Sequence, residues 1–249
     1  MRHSPVPSQV LLILIVSVSR GQTINAAKSY FDRGLTSYSK GDLTKAIDDF
    51  SVAITFYPGY AAAYYNRGNA KRARNDLDGA IGDYTSAIEI NPRFFEAYAN
   101  RGAARLVQGN IDGAVVDCSK AISIKPRVAE PYNTRGLARH SVGDLSGAVA
   151  DFSRATEMDR RYAVAYFNRG SVRHDQGDFD GAIADFTIAI KLNPRFALAY
   201  ANRGLTKLLQ GKGEESKRDL DRCLELDQSL RELIGERIQK IKRALGNAR

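Results

Sequence analysis

Apolar positions over residues 163–196 recur with the spacing of two α-helices joined by a turn. Tyr166, Gly170 and Arg173 share one face of the first predicted helix. The second carries its apolar residues on one face, at Ala182, Ile183, Phe186, Ala189 and Ile190. Asn193-Pro194 ends it, because proline lacks an N–H and disfavours helix before it. A hairpin this short cannot bury its apolar face alone, so similar neighbours are expected.

The same pattern recurs every 34 residues along most of the chain. Glycine stands at Gly34, Gly68, Gly102, Gly136, Gly170 and Gly204, each preceded directly by arginine and four residues earlier by tyrosine. A second-helix alanine row comprises Ala46, Ala80, Ala114, Ala148 and Ala182, and an aspartate row comprises Asp49, Asp83, Asp117, Asp151, Asp185 and Asp219. Prolines end four units, at Pro58, Pro92, Pro126 and Pro194, whereas Arg160 takes the proline position of another.

This pattern resembles the tetratricopeptide repeat (TPR) family. The resemblance implies an all-α, right-handed superhelical solenoid of helix-turn-helix repeats. The predicted units are 27–60, 61–94, 95–128, 129–162, 163–196 and 197–230. The last unit is degenerate, and Lys212-Gly213 is expected to spoil its inner turn. Residues 231–249 form a predicted capping helix and basic tail, with Leu233, Ile234, Ile238, Ile241 and Leu245 on one side.

Two pairs of rows predict contacts between helices. A glycine in mid-helix normally costs about 0.5–1 kcal/mol relative to alanine, so the repeated glycine indicates close approach of the second helix at the alanine row. The arginine and aspartate rows are expected to pair within or between units and so fix the register of the repeats. An anion-binding role for the arginines is the alternative.

The first 21 residues differ from the repeats and are predicted to be a secretory signal peptide. Arg2 and His3 precede an apolar run over residues 10–18, and small residues follow it. The run is too short to span a bilayer, which takes about 20 residues. We therefore expect an exported protein, periplasmic or secreted, without stable membrane insertion. The alternatives are an uncleaved anchor and a segment that is neither signal nor anchor.

The net charge of +9 is concentrated at the two ends of the chain. Arg2 and Arg20 have no acidic counterpart in the signal segment, and residues 231–249 hold six basic and two acidic residues. The repeats themselves are therefore nearly balanced, and no nucleic-acid surface is expected. The tail is interpreted as a solvated helix face, with an anionic membrane or partner as the alternative. Cys118 and Cys223 occupy core positions and are expected to be buried and unpaired.

The resemblance also implies that the first helices line a concave groove. The groove residues it places there are Phe31, Tyr65, Asn66, Asn69, Arg72, Asn100, His140, Phe167, Asn168, His174 and Asn202. Rings and amides suit a peptide better than a phosphate backbone. One asparagine per repeat would form a ladder that pairs with a peptide main chain, as in the TPR regions of some glycosyltransferases. The alternative is that these asparagines only bond neighbouring helices.

Two narrower sites are not supported by the residues present. The carboxylate clamp of some TPR co-chaperones is not carried over, because Tyr65, Glu130 and Thr134 replace its basic positions. His140 and His174 are one repeat apart, too far for one tight metal site, and His174-Asp175 lacks a nucleophile. We expect no catalysis, metal or cofactor, and interpret both histidines as solvated.

The sequence therefore predicts a non-catalytic scaffold or adaptor that binds extended segments of protein partners in the groove. The alternative is a structural role in self-assembly or complex assembly, which the degenerate last unit and the cap disfavour for open-ended stacking. An enzyme is the third and weakest hypothesis. The partner and the oligomeric state do not follow from the sequence.

Overall fold

The computed structural model describes residues 8–246, with side chains described for residues 21–244. The described chain is a succession of α-helices that divides into two compact units, the first ending at Asn110 and the second beginning at Ile111. Residues 1–7 of the predicted signal segment lie outside the described residues, and its remainder forms the start of the first helix.

The first unit contains two complete hairpins and the first helix of the next. Its helices are α1 (Ser8–Ser39), α2 (Leu43–Phe56), α3 (Ala61–Ala73), α4 (Leu77–Ile90) and α5 (Phe95–Val107). Helix α2 packs against α1 and α3, and α4 packs against α3 and α5. Each second helix thus buries its apolar face between two first helices, which is the packing that a lone hairpin lacks.

The second unit continues the same alternation. Its helices are α6 (Ile111–Ile124), α7 (Ala129–Ser141), α8 (Leu145–Met158), α9 (Ala163–Asp175), α10 (Phe179–Leu192), α11 (Ala197–Leu209), α12 (Gly213–Leu226) and α13 (Arg231–Gly246). A short 3-10 helix, Gln228–Leu230, joins the last two. First helices α7, α9 and α11 contact one another in order, and α13 packs on α11.

The inner turns form as their sequences predict. Gly177 adopts φ +81°, and the Asp178 carboxylate then accepts a hydrogen bond of 3.0 Å from the Gly181 N–H at the start of α10. The inner turn of the last repeat was expected to be lost, but only part of it is. Gly211, at φ +75°, still makes its turn, and the loss is confined to Lys212, which supplies no side-chain cap to α12.

The outer turns do not depend on proline alone. Helices α4 and α10 each end two residues before a proline, at Ile90 and Leu192. Helix α8 ends at the equivalent Met158 although Arg160 replaces the proline. The Asp159 carboxylate there accepts from the Arg161 N–H at 2.8 Å, as Asn193 accepts from the Arg195 N–H at 3.1 Å in a unit that keeps its proline, so this local turn forms with or without the proline ring.

The repeated glycine marks a close helix crossing, but its nearest neighbour is not the predicted alanine: it is an aromatic ring at Gly34, Gly68, Gly136 and Gly170, and the Leu220 side chain at Gly204. A Cβ built on Gly170 would lie 2.8 Å from the Phe186 ring and 3.2 Å from the carbonyl oxygen of Ala182. Gly136 meets the ring of Phe152 at 2.8 Å in the same way. The alanine row contributes its backbone, and the ring fills the space that the missing methyl leaves.

The arginine and aspartate rows pair within a repeat and also link neighbouring repeats. Arg135 donates to both carboxylate oxygens of Asp151, at 2.9 and 2.7 Å, and through its remaining nitrogen to the Ser119 hydroxyl of the preceding repeat, at 2.9 Å. Arg139 supplies Asp151 with a second cation at 2.8 Å. Because the guanidinium is held on both sides, its role is structural register rather than anion binding.

The ion pair of the first repeat lacks two partners that later repeats have: a hydroxyl from a preceding second helix and a second cation on the aspartate. Arg33 pairs with Asp49, yet 56% of its side chain is exposed, whereas Arg135 is 16% exposed. Ser37 stands where later repeats carry a lysine or arginine, and the buried Oδ2 of Asp49 has no hydrogen-bond partner. The ion-pair network is therefore complete only where a preceding second helix and a second cation are both present.

The C-terminal helix covers the end of the second unit. Ile234 is 3% exposed and packs with Ala201, Leu205, Leu220 and Cys223. Ile238 and Ile241 add to this cluster, while the side chain of Leu245 lies outside the described residues. Cys118 and Cys223 are buried and unpaired, as predicted, and burial raises the pKa of the Cys118 thiol to about 12.

Candidate functional site

The three predicted groove aromatics share one arrangement. Each first-helix ring lies between a ring of its own second helix and a ring just before the next first helix. Phe167 lies 5.8 Å from Phe186 and 4.8 Å from Phe196, measured between ring centroids. Phe31 and Tyr65 repeat this geometry in the first unit. The rings are partly exposed and held in place on both sides, so they form rigid apolar patches.

The predicted asparagines make hydrogen bonds between neighbouring first helices. In the first unit, Asn100 Nδ2 donates to Asn69 Oδ1 at 2.8 Å and to the Tyr65 hydroxyl at 3.2 Å. Asn69 Oδ1 also accepts from the Tyr84 hydroxyl at 2.8 Å. Asn66 instead donates to the Ala62 carbonyl of its own helix. The amides therefore tie adjacent repeats together, which is the structural role foreseen as the alternative.

The second unit shows the same link with different partners. Asn168 Nδ2 donates to Asn133 Oδ1 at 2.9 Å, and Asn202 Nδ2 donates to the Ser171 hydroxyl at 3.4 Å. These bonds use one hydrogen of each amide nitrogen. A carboxamide has a second N–H and an oxygen with two lone pairs, so an inter-helix bond leaves capacity for a ligand.

The two histidines lie in different environments, and neither matches the predicted arrangement. His140 Nε2 lies 2.7 Å from the Asp175 carboxylate, so this acid partners the histidine one repeat earlier instead of His174. His174 Nδ1 lies 2.9 Å from the Thr206 hydroxyl, and its ring packs on Phe179. Burial lowers the pKa of His174, against the opposing effect of Asp175. His174 is therefore half-buried rather than solvated.

Arg72, the predicted groove cation of the first unit, is exposed and lies beside the Tyr84 hydroxyl. Burial raises the pKa of Tyr84 to about 12, and the positive charge of Arg72 opposes that rise. Within the described residues, no cluster of three histidine, cysteine or acidic side chains has the geometry to hold a metal ion.

A cavity of about 520 Å³ opens between α9, α11 and α13 of the second unit. Ser171, His174, Asp175, Asn202, Leu205, Leu209, Arg237, Lys240 and Ile241 line it. A smaller cavity of about 190 Å³ adjoins it, lined by Phe167, Leu198, Ala201, Asn202, Leu205, Leu230, Leu233, Ile234 and Arg237. We call the two together the C-terminal groove.

The C-terminal groove joins residues that the sequence predicted and residues that it missed. Phe167, His174 and Asn202 were expected on a binding face. Arg237 and Lys240 belong to α13, whose charged side was interpreted as a solvated face. Their spacing on one side of a helix was readable, but the packing of α13 on α11 decides that this side faces the groove.

The fold is that of a helical-repeat solenoid. Its hairpins follow one another in tandem, second helices pack between first helices, and a groove lies between first helices. Models of the tetratricopeptide repeat match residues 68–109, 170–211 and 197–230. The chain therefore carries tetratricopeptide repeats in these ranges, within the all-α fold that its period predicts. Repeats of this family are protein–protein interaction scaffolds.

Three solved structures are similar to this fold. MamA is 27% identical to this chain over 66% of it and 96% of MamA, with a TM-score of 0.60. YrrB, described as a TPR protein with an unusual peptide-binding site, is 22% identical, covering 77% of this chain and 97% of YrrB, with a TM-score of 0.62. PilF of Pseudomonas aeruginosa is 14% identical, covering 90% and 99%, with a TM-score of 0.73. The last two show the fold alone.

A search of curated proteins found no match. Among the described residues, no helix has both the length and the apolar character that crossing a membrane requires.

Proposed function

We propose that this protein is an exported, non-catalytic scaffold that binds extended peptide segments of partner proteins in the groove between its first helices. The observation that carries the proposal is the C-terminal groove, where two adjoining cavities meet at Asn202, Leu205 and Arg237. An elongated cleft with a fixed ring, an amide and cations suits a peptide, which offers apolar side chains beside a polar main chain.

The rigidity of the groove supports the same proposal. Phe167 is clamped between Phe186 and Phe196, and Asn202 is bonded to Ser171 of the neighbouring first helix. Groups held in this way lose little side-chain freedom when a ligand binds, so less of the binding energy is spent on ordering them. A binding surface of this kind needs no rearrangement of the repeats.

Site-specific photo-cross-linking in the native host tests the proposal. A photoreactive residue would replace Leu198, which lines the smaller cavity and is 43% exposed. The matched control is Val116, a 65%-exposed residue of the second helix α6. We expect Leu198 to cross-link to one continuous segment of a partner and Val116 to give no such product. Equal products from both positions, or products from Val116 alone, would overturn the proposal.

The amides provide a second, quantitative measurement with the segment so identified. Asn66, Asn100, Asn168 and Asn202 would be replaced by alanine singly and together, with helicity followed by circular dichroism. If the amides also read the peptide main chain, affinity falls stepwise while helicity stays constant. Unchanged affinity in the quadruple variant would assign these asparagines to the scaffold alone.

A further inference from the structure

The C-terminal groove changes character along its length. Its smaller cavity is mainly apolar, and two of its lining residues, Leu198 and Leu233, are each 43% exposed. Its larger cavity is polar and lies against α13, where Arg237 and Lys240 face Ser171 and Asn202. A ligand that fills both cavities must therefore be apolar at one end and able to meet positive charge at the other.

The two cations of this groove form no ion pair with the described side chains. Among the side chains described, those of residues 21–244, neither Arg237 nor Lys240 has an acidic partner within ion-pair distance. Most other cations near first helices, such as Arg173, are held by a buried aspartate. Since an unpaired cation at the end of an apolar cleft attracts carboxylates, this end selects for an acidic ligand.

Two acidic residues lie close to these cations, but neither forms an ion pair with them among the described residues. The Asp175 carboxylate lines the larger cavity and is held by His140 at 2.7 Å, so it stands as one negative charge against the two cations there. Glu236 shares an outer cavity of about 500 Å³ with Lys240 and Arg243, and it makes no ion pair with either among the described residues. The positive charge of this end therefore exceeds the negative charge.

Two cations of α13 line the groove. Arg237 and Lys240 both line the larger cavity, whereas Arg243 borders only the outer cavity that it shares with Glu236. At about 1.5 Å rise per residue, Arg237 and Lys240 stand roughly 4.5 Å apart along the helix axis. Alternate side chains of an extended peptide lie about 6.6 Å apart on one side, so these two long side chains can each meet one carboxylate of the same segment.

We propose that the C-terminal groove takes an acidic peptide segment of a partner protein, with an apolar side chain in the Phe167–Leu198–Leu233 cavity and two aspartate or glutamate side chains against Arg237 and Lys240. The inference rests on the proposed peptide-binding function and adds the class of ligand. Recognition is through side-chain carboxylates within the segment, and a free C-terminus is not required.

The test uses a positional-scanning library of fluorescent octapeptides that are acetylated at the N-terminus and amidated at the C-terminus. Binding is measured by fluorescence polarisation for the unaltered chain and for the double variant Arg237→Ala, Lys240→Ala. The control is Lys242→Ala, Lys217→Ala, which removes two exposed cations, one of them on α13, that line neither cavity.

We expect the unaltered chain to select acidic residues at two or more positions together with one large apolar residue. The Arg237→Ala, Lys240→Ala variant should bind these peptides about tenfold more weakly, the sum of two exposed charge pairs, and the control should bind within about twofold. Circular dichroism would verify that both variants keep their helicity.

Four outcomes would overturn the inference. Selection of peptides without acidic preference would remove it while leaving the proposed function intact. No selection of any peptide would remove both. Equal weakening by the control variant, or binding only to vesicles of phosphatidylglycerol without peptide competition, would show a general charge effect or a lipid surface instead.

Discussion

Buried carboxylates shape this protein at the scale of single residues. Asp151 is 3% exposed and accepts from Arg135 and Arg139, while Arg135 also reaches Ser119 of the preceding repeat. Each such aspartate needs its cations, because an unpaired buried charge is costly. The tyrosine four residues before the glycine adds to this, since the Arg135 guanidinium lies 5.8 Å from the Tyr132 ring centroid.

Removing either member of the pair is therefore expected to destabilise the fold. Arg135→Ala and Asp151→Ala should each lower the free energy of unfolding by about 1–3 kcal/mol, because each strands a buried partner. Urea unfolding followed by circular dichroism measures the change. The control is Arg154→Ala, whose pair with Glu157 is more than half exposed on both sides and contributes about 0–1 kcal/mol. Equal midpoints for Arg135→Ala and Arg154→Ala would contradict the structural role.

Helix crossings are the feature that matters at the scale of elements. Helices α9 and α10 approach closely at Gly170, where the Phe186 ring occupies the space of a side chain. The same ring also supports Phe167 of the groove. The crossing that packs the hairpin thus also positions part of the C-terminal groove.

A methyl group at this crossing should be destabilising. Gly170→Ala places a Cβ 2.8 Å from the Phe186 ring and 3.2 Å from a backbone oxygen, so overpacking should cost about 1–3 kcal/mol. Gly82→Ala is the matched control, because Gly82 lies inside α4 with no atom within 4 Å of the added Cβ. That variant should gain about 0.5–1 kcal/mol from alanine's helix preference. Thermal unfolding of both distinguishes sterics from propensity; stabilisation of both would refute the close crossing.

At the scale of the whole molecule, the described chain ends in a helix that closes the apolar face of its last repeat. Helix α13 does this with Ile234, Ile238 and Ile241, while its cations lie toward the groove. One element therefore both covers the apolar face of the last repeat and lines the proposed binding site.

The proposed export of the protein is tested on its N-terminus. If residues 1–21 are a cleaved signal peptide, mature protein from the native host should begin between Arg20 and Thr23. Edman sequencing or intact-mass measurement would determine this position. Replacing residues 10–18 by polar residues should retain the full-length chain inside the cell, as a control for the route. Mature protein that still carries Met1 would rule out cleavage.

The 34-residue period was sufficient to predict the repeats, because it combines local signals. Gly177-Asp178 specifies a left-handed turn and a cap within a few residues, and Pro194 ends a helix by its own chemistry. The pairing of arginine and aspartate 16 residues apart also followed, since both rows recur once per unit. The second contact of the arginine, from Arg135 to the Ser119 hydroxyl of the preceding repeat, was not predicted. Its position holds serine in some repeats and threonine in others, and neither residue stands out from the sequence.

The sequence by itself therefore determined the hairpins, their period, their turns and the residues of the first-helix face. Tertiary structure alone decided which of those residues meet. Asp175 pairs with His140 rather than with the adjacent His174, and Asn202 bonds Ser171, because packing brings residues one repeat apart into contact. It also decided that Arg237 and Lys240 of α13 line a groove with α9 and α11. The physical reason is that helical period fixes the side of a helix on which a residue lies, whereas the neighbour on that side depends on how the helix packs.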